Sequence, residues 1–512
     1  MVKPTYYVTT PIYYVNSVPH LGSAYTTVAA DVLARFKRQC GYDVFFLTGT
    51  DEHGQKVAKA AAEAGKDPKE WADEVVSQFY KAWDELLISN DDFIRTTDER
   101  HIAGAQAFLQ KLYEAGDIYP DTYEGWYCVQ CETFWTPTQL VDASLCPECR
   151  RETTFIKEEN YFFRLSKYGE PLLEHIRKNP GFIQPNVRRN EIVSFIDQGL
   201  KDQSVSRTTL TWGIPLPWDP SHVMYVWVDA LLNYITGIGY GRDAAKFEKY
   251  WPAQWHLIGK DILRFHCVIW PAMLLAAGLP LPEHVFAHGF LLAEGERMSK
   301  SKGNVIAPSD LIAKFGVDAY RYYFMREISF GQDGSVSMES MIARFNADLS
   351  NDFGNLVSRT IAMVVKYLDG VVPQPGPDDG LDLELKELAG ALFSQTEARL
   401  DSLNYSEALS GIWEFVGRVN SYVDRSAPWD LAKEGALEER LRTVLYNCLE
   451  SLRLIALLVW PFMPQACERL WAQLGIEEPL EAQRLPEALS WGGLAPGARV
   501  RKAEGLFPRI YE

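Results

Sequence analysis

The chain has 512 residues, of which 47% are hydrophobic and 23% are charged, a composition typical of globular proteins that excludes disordered and fibrous classes. Because one hydrophobic core rarely serves more than about 250 to 300 residues, this length predicts two to four domains. The formal net charge of -17 argues against indiscriminate binding to polyanions, so any contact with nucleic acid needs a local basic surface.

No segment has the pattern of a targeting or membrane sequence. The opening MVKPTYYVTT has no apolar stretch of the secretory type, which favours a cytoplasmic location. The longest apolar run, residues 455–463, contains Pro461 and is too short to cross a bilayer. We therefore expect no transmembrane helix.

The first fifty residues predict a strand, a helix and a second strand. Residues 6–10 are aromatic and β-branched, apolar residues recur at helical spacing from Tyr25 to Phe36, and residues 44–47 form a second apolar run. Such a βαβ unit has parallel strands, and the residues that follow each strand meet at the carboxyl edge of the sheet. His20 and residues 51–53 would then face one crevice.

The rest of the chain alternates in character. Helical patterns cover most of residues 67–115, residues 116–219 are irregular and rich in aromatics, and two strand-like runs follow in MYVWVDALLNYITG and WHLIGKDILRFH. After Asp318 the periodicity is almost entirely helical, with a Pro- and Gly-rich loop at residues 370–380. This order predicts two halves of an α/β domain around an insert, followed by an α-helical bundle.

Four cysteines have the spacing of a metal site. Cys128, Cys131, Cys146 and Cys149 form two C-x-x-C pairs fourteen residues apart. Two such knuckles offer four thiolates, which complete a tetrahedral zinc shell with no open position, as in structural zinc sites. The alternatives are redox dithiols or reduced core cysteines.

The stretch GERMSKSKGN carries Arg297, Lys300 and Lys302 among small residues. Such a loop can fold over a triphosphate and place positive charge near a departing pyrophosphate. A solvated charged loop is the alternative interpretation.

Several motifs together resemble one family. HLGS and RMSKS resemble the HIGH and KMSKS signatures of class I aminoacyl-tRNA synthetases, and TTPIYYVNSVPHLGS, LTGTDEHG, VWVDALLNY, LIGKDILRFH and GNLVSR are similar to the bacterial methionyl-tRNA synthetases. The resemblance covers essentially the whole chain in the family's order. Ser23 replaces the second histidine of HIGH, and Arg297 replaces the first lysine of KMSKS.

The resemblance implies an α/β fold with a Rossmann-like, doubly wound parallel sheet, split by a zinc-bearing connective insertion and followed by a C-terminal α-helical bundle. The implied domains are the first half of the catalytic domain, 1–117; the insertion, 118–222; the second half, 223–296; the KMSKS loop and stem-contact region, 297–354; and the anticodon-binding domain, 355–512.

The resemblance also implies the reaction. Methionine and ATP give methionyl-adenylate and pyrophosphate, and methionine then passes to the terminal ribose of the initiator and elongator methionine tRNAs, with Mg²⁺ accompanying ATP. The implied catalytic residues are His20 and Lys300, whereas helix-start and capping roles are the alternatives for His20 and Asp261. The implied ATP-binding residues are His20, Gly22, Ser23, Gly259, Asp261, Arg297 and Lys300.

An apolar pocket with aromatic walls would select the thioether side chain. Asp51 would bind the substrate ammonium, while core packing is the alternative for Trp227, Ile262 and His266. Because one methyl group is worth only about 1 to 3 kcal/mol of discrimination, homocysteine is an expected near-cognate substrate. The implied methionine-binding residues are Ile12, Tyr14, Asp51, Trp227, Ala230, Tyr234, Ile262 and His266.

Three residues match the family's anticodon readers. Asn355 and Arg359 are four residues apart, on one face of a predicted helix, and Trp429 could stack on an unpaired base. The alternative is a surface polar pair with a packed tryptophan.

Other functions fit the sequence less well. The leucyl, isoleucyl and valyl enzymes normally carry a large editing insertion, cysteinyl enzymes use zinc for the substrate, and a zinc-ribbon RNA-binding protein would not need His20, Asp51 and Lys300. We also expect a monomer, since the chain ends shortly after the predicted bundle.

Overall fold

A computed structural model describes residues 3–293, 295–297 and 307–511 of the chain. Within these ranges, no helix is long and apolar enough to cross a membrane. The strands are β1 (Thr5–Tyr14), β2 (Asp43–Asp51), β3 (Asp92–Arg95), β4 (Ile118–Cys128), β5 (Thr133–Trp135), β6 (Thr154–Phe163), β7 (Ile183–Gln184), β8 (Gln203–Ser204), β9 (Ser206–Arg207), β10 (Val223–Met224), β11 (Trp255–Gly259), β12 (His284–His288), β13 (Leu291–Ala293), β14 (Glu296–Arg297) and β15 (Gly334–Val336).

Helices outnumber strands in the second half of the chain. The α-helices are α1 (Leu21–Gln39), α2 (Gln55–Glu63), α3 (Pro68–Glu85), α4 (Glu99–Glu114), α5 (Gly169–Lys178), α6 (Asn186–Asp197), α7 (Val226–Thr236), α8 (Ala244–Tyr250), α9 (Trp270–Ala276), α10 (Pro308–Phe315), α11 (Val317–Glu327), α12 (Met338–Arg344), α13 (Asn355–Leu368), α14 (Gly380–Asp401), α15 (Tyr405–Ser426), α16 (Pro428–Leu431), α17 (Glu438–Val459) and α18 (Pro464–Gln473). Phe265–Ile269 and Phe345–Gly354 are π-helical.

A six-stranded parallel sheet forms the centre of the N-terminal α/β part of the chain. Its order is β3-β2-β1-β11-β12-β7, and every neighbouring pair is parallel. The strand order reverses between β1 and β11, and in such sheets ligands bind outside the carboxyl ends of the strands at that reversal. The predicted α/β fold with a parallel sheet and a helical C-terminal region is confirmed.

Two local predictions about this sheet need correction. The segment MYVWVDALLNYITG is not a strand: after the two-residue strand β10 it forms α7, because its polar residues follow the helical repeat even though Val226 and Val228 favour strands. The first strand also does not end at Thr10 but continues to Tyr14, with a shift in register between Thr9 and Ile12. The short strand β3 falls inside the region predicted as helical.

Residues 118–222 carry most of a smaller antiparallel sheet. Its order is β5-β4-β6-β8, and β4 pairs with β6 from Ile118 to Tyr127. The first cysteine knuckle begins at Cys128, the last residue of β4, and the second lies in the connection between β5 and β6. The same range also supplies β7, which pairs with β12 at the edge of the parallel sheet, so residues 118–222 are joined to that sheet through backbone hydrogen bonds.

The helical C-terminal region packs directly on α1. Arg321 on α11 is fully buried and forms an ion pair with Asp31 on α1, at 2.6 Å. Its other donors reach the carbonyls of Leu86, Pro461 and Phe462. A buried guanidinium needs such complete pairing, so α1 and the helical region share one hydrophobic core.

Candidate active site

His20 stands at the amino end of α1, beside the reversal in strand order. Its Nδ1 accepts hydrogen bonds from the N–H groups of Gly22 and Ser23, at 3.0 and 3.3 Å, and so caps the helix. Because Nδ1 is an acceptor, the neutral ring carries its proton on Nε2. The ring is exposed at the crevice, yet loss of solvent around it still lowers the pKa of His20, with the Asp261 carboxylate opposing that effect.

Gly22 leaves room for this arrangement. A Cβ at this position would lie 3.0 Å from Cε1 of His20, so any larger residue would press on the imidazole. The turn also begins a nineteen-residue helix, whose dipole places partial positive charge at this end even though His20 caps its first N–H groups, and such helix ends attract anions.

The Ser23 hydroxyl is used within the turn. It donates to the carbonyl of His20 at 2.8 Å and accepts from the N–H of His20 at 3.0 Å, which completes a capping box. Ser23 is also buried. Its predicted contact with ATP stays a prediction, and this geometry gives its side chain a structural task instead.

Gly259 and Asp261 lie at the carboxyl end of β11, across the reversal from β1. A Cβ on Gly259 would lie 2.5 Å from Oδ1 of Asp261, so glycine lets the exposed carboxylate fold over the strand end. On the next strand, Nε2 of His288 lies 2.6 Å from the Thr26 hydroxyl. These contacts tie β12 to α1 on the same side of the crevice.

The loop GERMSKSKGN, residues 295–304, lies only partly within the residues that the structure describes. Arg297 lies in β14, which pairs with β13 through its backbone. Lys300 and Lys302, the predicted phosphate-binding lysines, lie outside the described residues.

The residues predicted to bind methionine come together on one side of this crevice. Trp227, Ala230 and Tyr234 lie on α7 at positions i, i+3 and i+7, which share one helical face. The ring of Trp227 stacks on Phe265 at 3.9 Å and meets the edge of Tyr14 at 6.1 Å. Four of the predicted residues are partly buried against one hydrophobic cluster: Ile12, Tyr14, Trp227 and Ile262.

A polar pair closes the pocket. The Tyr234 hydroxyl lies 2.7 Å from Nε2 of His266, and Nδ1 of His266 lies 3.0 Å from the carbonyl of Ile262. A carbonyl can only accept, so Nδ1 carries the proton, Nε2 accepts from the hydroxyl, and the imidazole is neutral. Burial lowers the pKa of His266 to about 4, which keeps it neutral at pH 7.

Asp51 ends β2 and is directly opposite Tyr14 in the strand register. It is buried, and its Oδ1 atom has no hydrogen-bond partner within residues 3–293, 295–297 and 307–511. Burial, followed by the charges of Asp229 and Glu132, raises its pKa well above the usual range. An ammonium group would supply both the donors and the positive charge that this carboxylate lacks.

Several residues of this site are absent from the sequence-based predictions. Asp229, fully buried on α7, joins His53 and His101 through contacts of 2.7 Å each and so fixes α7 against the end of β2. Glu132, next to a knuckle cysteine, has its carboxylate beside α2, where its Oε1 accepts from the N–H of Lys56 at 3.0 Å. The sequence pointed to Asp229 and His53 only through their positions in the motifs VWVDALLNY and LTGTDEHG.

The four predicted cysteines form one cluster. The sulfur atoms of Cys128, Cys131, Cys146 and Cys149 all lie within 4.8 Å of one another. Four thiolates at such distances suit a tetrahedral metal such as zinc, with no position left for water. The cluster also contacts the pocket, because Nε1 of Trp227 donates to the carbonyl of Cys131 at 3.2 Å.

The predicted anticodon residues lie far along the chain in the helical region. Asn355 is exposed at the start of α13, and Trp429 on α16 exposes 39% of its surface. Arg359, one turn after Asn355, is hydrogen-bonded to Asp424 and to Asn420 of α15. The two α13 residues share a helical face, as predicted.

Known proteins with the same arrangement can now be compared. The family model "tRNA synthetases class I (M)" matches residues 6–155 and 151–361, and "Anticodon-binding domain of tRNA ligase" matches residues 384–503. Methionine–tRNA ligase of Caldanaerobacter subterraneus subsp. tengcongensis is 53% identical over 99% of this chain and 79% of its own length. The Thermotoga maritima enzyme is 51% identical over 99% of this chain and 80% of its own length.

A solved structure agrees with these relatives. The methionyl-tRNA synthetase of Mycobacterium tuberculosis, solved with methionyl-adenylate, is 46% identical and superposes with a TM-score of 0.96 over 99% of this chain and 100% of that one. With the reversal crevice, the aromatic pocket and the capped His20 turn already described, the chain belongs to the methionyl-tRNA synthetases of class I.

Proposed function

We propose that this chain joins methionine to methionine tRNA, and that both steps occur in the crevice at the reversal of the sheet. The observation that carries the proposal is the close placement of two different sites. A helix end with a neutral His20 suits phosphate, and beside it an apolar pocket ends in the Tyr234–His266 pair and the unpartnered Asp51.

In the first step, a carboxylate oxygen of methionine attacks the α-phosphorus of ATP. The bond from that phosphorus to the bridging oxygen breaks, and pyrophosphate leaves with the electron pair. Such an in-line displacement depends on positioning and charge stabilisation. His20 would donate from Nε2 to phosphate oxygens, the end of α1 would face the same charge, and Lys300 would act on the leaving group. Mg²⁺ bound to ATP would add further positive charge.

Recognition of the nucleoside would come from the end of β11. Asp261 is exposed there, close enough to His20 for its charge to act on that pKa. A carboxylate suits the two ribose hydroxyls as an acceptor, and Gly259 gives the sugar a close approach to the backbone. This role, like those of Gly22 and Arg297, is part of the proposal.

Selection of methionine would rest on the pocket of α7. Trp227, Ala230 and Ile262 offer apolar surface to the thioether chain, and the Tyr234–His266 pair lies at the polar end. Asp51 would accept from the substrate ammonium. A flexible thioether suits such aromatic walls.

In the second step, a ribose hydroxyl at the end of the tRNA attacks the carbonyl carbon of methionyl-adenylate, and AMP leaves. The anticodon would be read in the helical C-terminal region, by Asn355 and Arg359 on α13 and by Trp429 on α16. Trp429 offers an exposed indole face for stacking. The cysteine cluster would hold one structural zinc ion and take no part in either step.

We further propose that the protein is a monomer and that it acts in the cytoplasm. The domain limits that the family resemblance implies are part of the same proposal. Light scattering would test the first point, because a dimer mass would contradict it.

The decisive experiment is pyrophosphate exchange with each amino acid in turn, without tRNA. We expect exchange with methionine, weaker exchange with homocysteine, and none above background with leucine, isoleucine, valine or cysteine. Exchange that depends on another amino acid and not on methionine would overturn the proposal.

A further inference from the structure

Glu132 is a fully buried acidic residue that comes directly after the knuckle cysteine Cys131. Its φ angle of 50° lies in the left-handed region, where a residue other than glycine is strained. Two donors from the α7 side hold this peptide in place: the Tyr225 hydroxyl reaches the carbonyl of Glu132 at 2.5 Å, and Nε1 of Trp227 reaches that of Cys131. The knuckle is therefore fixed so that Glu132 turns inward.

One oxygen of this carboxylate has a structural task. Oε1 accepts from the N–H of Lys56 in the first turn of α2. The N-cap of that helix is Gly54, which has no side chain to cap it. A Cβ on Gly54 would lie 2.6 Å from Oε1 of Glu132, so the glycine leaves the room that the carboxylate occupies.

The second carboxylate oxygen of Glu132, Oε2, has no such structural task. Among the residues that the structure describes, Oε2 of Glu132 is buried without a hydrogen-bond partner, and so are Oδ1 of Asp51 and the hydroxyl oxygen of Tyr14. Tyr14 and Asp51 are register partners, so their side chains lie on the same face of the sheet. Geometry places Glu132 beside this pair, because Lys56, whose N–H donates to Oε1 of Glu132, lays its ammonium over the ring of Tyr14 at 4.2 Å from the centroid. In agreement, burial and then the charges of Glu132 and Asp51, together with an interaction between the Tyr14 hydroxyl and the Glu132 carboxylate, raise the pKa of Tyr14.

This group of atoms has an excess of negative charge and acceptors. A buried acceptor left unpaired is destabilising, and two carboxylates close together need a cation. Among the described residues, Lys56 brings an ammonium group close to these atoms. Its Nζ lies over the ring of Tyr14, 4.2 Å from the centroid. A small ligand cation with several N–H donors would satisfy the remaining acceptors.

We propose that Glu132 is a second carboxylate for the substrate's ammonium, with its free oxygen accepting a hydrogen bond beside Asp51. The inference rests on the proposed activation of methionine. An alkylammonium has three N–H donors, so it can serve both carboxylates and a third acceptor at once. Glu132 thus selects α-amino acids against thioether acids or alcohols that lack the amino group.

The variant Glu132→Gln tests this in the full chain. Glutamine keeps the oxygen that caps α2 and loses the charge, so a purely structural residue would leave substrate binding unchanged. Because a hydrogen bond to a charged group is worth about 1.5 to 3 kcal/mol, we expect the KM for methionine in pyrophosphate exchange to rise roughly ten- to hundredfold, with a smaller change in kcat. Glu152→Gln, an exposed acidic residue near the same knuckles, is the charge-matched control and should leave KM unaltered.

Two inhibitors make the test specific. L-Methioninol keeps the ammonium, and its inhibition constant should rise with the KM of methionine in Glu132→Gln. 4-(Methylthio)butan-1-ol lacks the ammonium, and its constant should stay the same. An unchanged KM in Glu132→Gln overturns the inference, as does an equal loss for both inhibitors together with loss of bound zinc. Absence of methionine-dependent exchange in the unmodified chain would instead contradict the proposed function.

Discussion

The Tyr234 hydroxyl and Nε2 of His266 lie 2.7 Å apart, and the hydroxyl is the donor because the other ring nitrogen of His266 is committed to the carbonyl of Ile262. The pair therefore presents a neutral imidazole to the pocket, held in one tautomer by two contacts. A neutral, polarisable group suits a thioether, which carries no charge to be paired.

The neutral His266 predicts a pH dependence of stability. Its pKa falls from 6.5 to about 4 on burial, so between these values the unfolded chain binds a proton that the folded chain does not. The stabilisation is complete above pH 6.5 and is lost as the pH falls toward 4. We expect this residue alone to lower the free energy of unfolding by about 2 kcal/mol between pH 7.5 and pH 5.

Urea unfolding followed by tryptophan fluorescence at the two pH values would measure this loss. His266→Gln removes the titrating group, so its stability should change less with pH than that of the unmodified chain. Equal pH dependence in both proteins would rule out His266 as a source of the effect. The buried His256 shifts in the same direction, so the slope should shrink and not vanish.

Gly22→Ala should slow activation without affecting methionine binding. The new methyl carbon would lie 3.0 Å from Cε1 of His20, so the imidazole must move away from its place at the end of α1. Since small misplacements of a positioning group cost large factors in rate, we expect kcat for pyrophosphate exchange to fall roughly tenfold. Gly417→Ala, at an exposed helical position where an added Cβ meets nothing within 4 Å, should behave like the unmodified chain.

The cysteine cluster predicts a bound metal that supports folding. We expect about one zinc ion per chain, measured by atomic emission on protein purified without chelators. Cys146→Ser should lose most of this zinc and unfold at a lower temperature, because three thiolates bind zinc less tightly than four. Cys40→Ser changes a cysteine outside the cluster and should keep its zinc. Full zinc in Cys146→Ser would show that the cluster is not the site.

Trp429→Ala should weaken the binding of methionine tRNA and leave the activation of methionine unchanged. Loss of one base–aromatic stack is worth about 1 to 3 kcal/mol, which is roughly a tenfold rise in the KM for methionine tRNA. Pyrophosphate exchange, which needs no tRNA, should remain the same. Leu383→Ala removes a similarly exposed apolar side chain from α14 and serves as the control. A loss of exchange in Trp429→Ala would point to a folding defect.

Sequence patterns that span only a few residues predicted those parts of the fold that neighbouring residues determine. The βαβ unit and the cysteine knuckles could be predicted because hydrophobic period and thiol spacing act over a few residues. The segment of α7 favours a strand at Val226 and Val228, whereas packing against α4, β1 and the π-helical turn Phe265–Ile269 decides the outcome. The four-residue strand β3 is too short for its pattern to be distinguished from its helical surroundings.

The chemical site was predicted less completely than the fold. Motif resemblance predicts the α7 face and Asp51 as methionine-binding, and both stay predictions. Glu132, by contrast, comes beside α2 only through the fold of residues 118–222, which no local pattern contains. Ser23 shows the opposite case. Its place in a signature suggests a phosphate ligand, whereas the capping box of His20 already uses its hydroxyl.

The ion pair between Arg321 and Asp31 limits how this chain can be divided. Asp31 lies midway along α1, the helix that His20 caps at its amino end. Its partner Arg321 comes from α11 and also donates to the carbonyls of Pro461 and Phe462. A fragment cut before α11 would leave that carboxylate buried with only Arg35 as a cation. The isolated catalytic half is therefore a poor choice for expression, and the nucleotide turn depends for its stability on residues contributed nearly at the other end of the polypeptide.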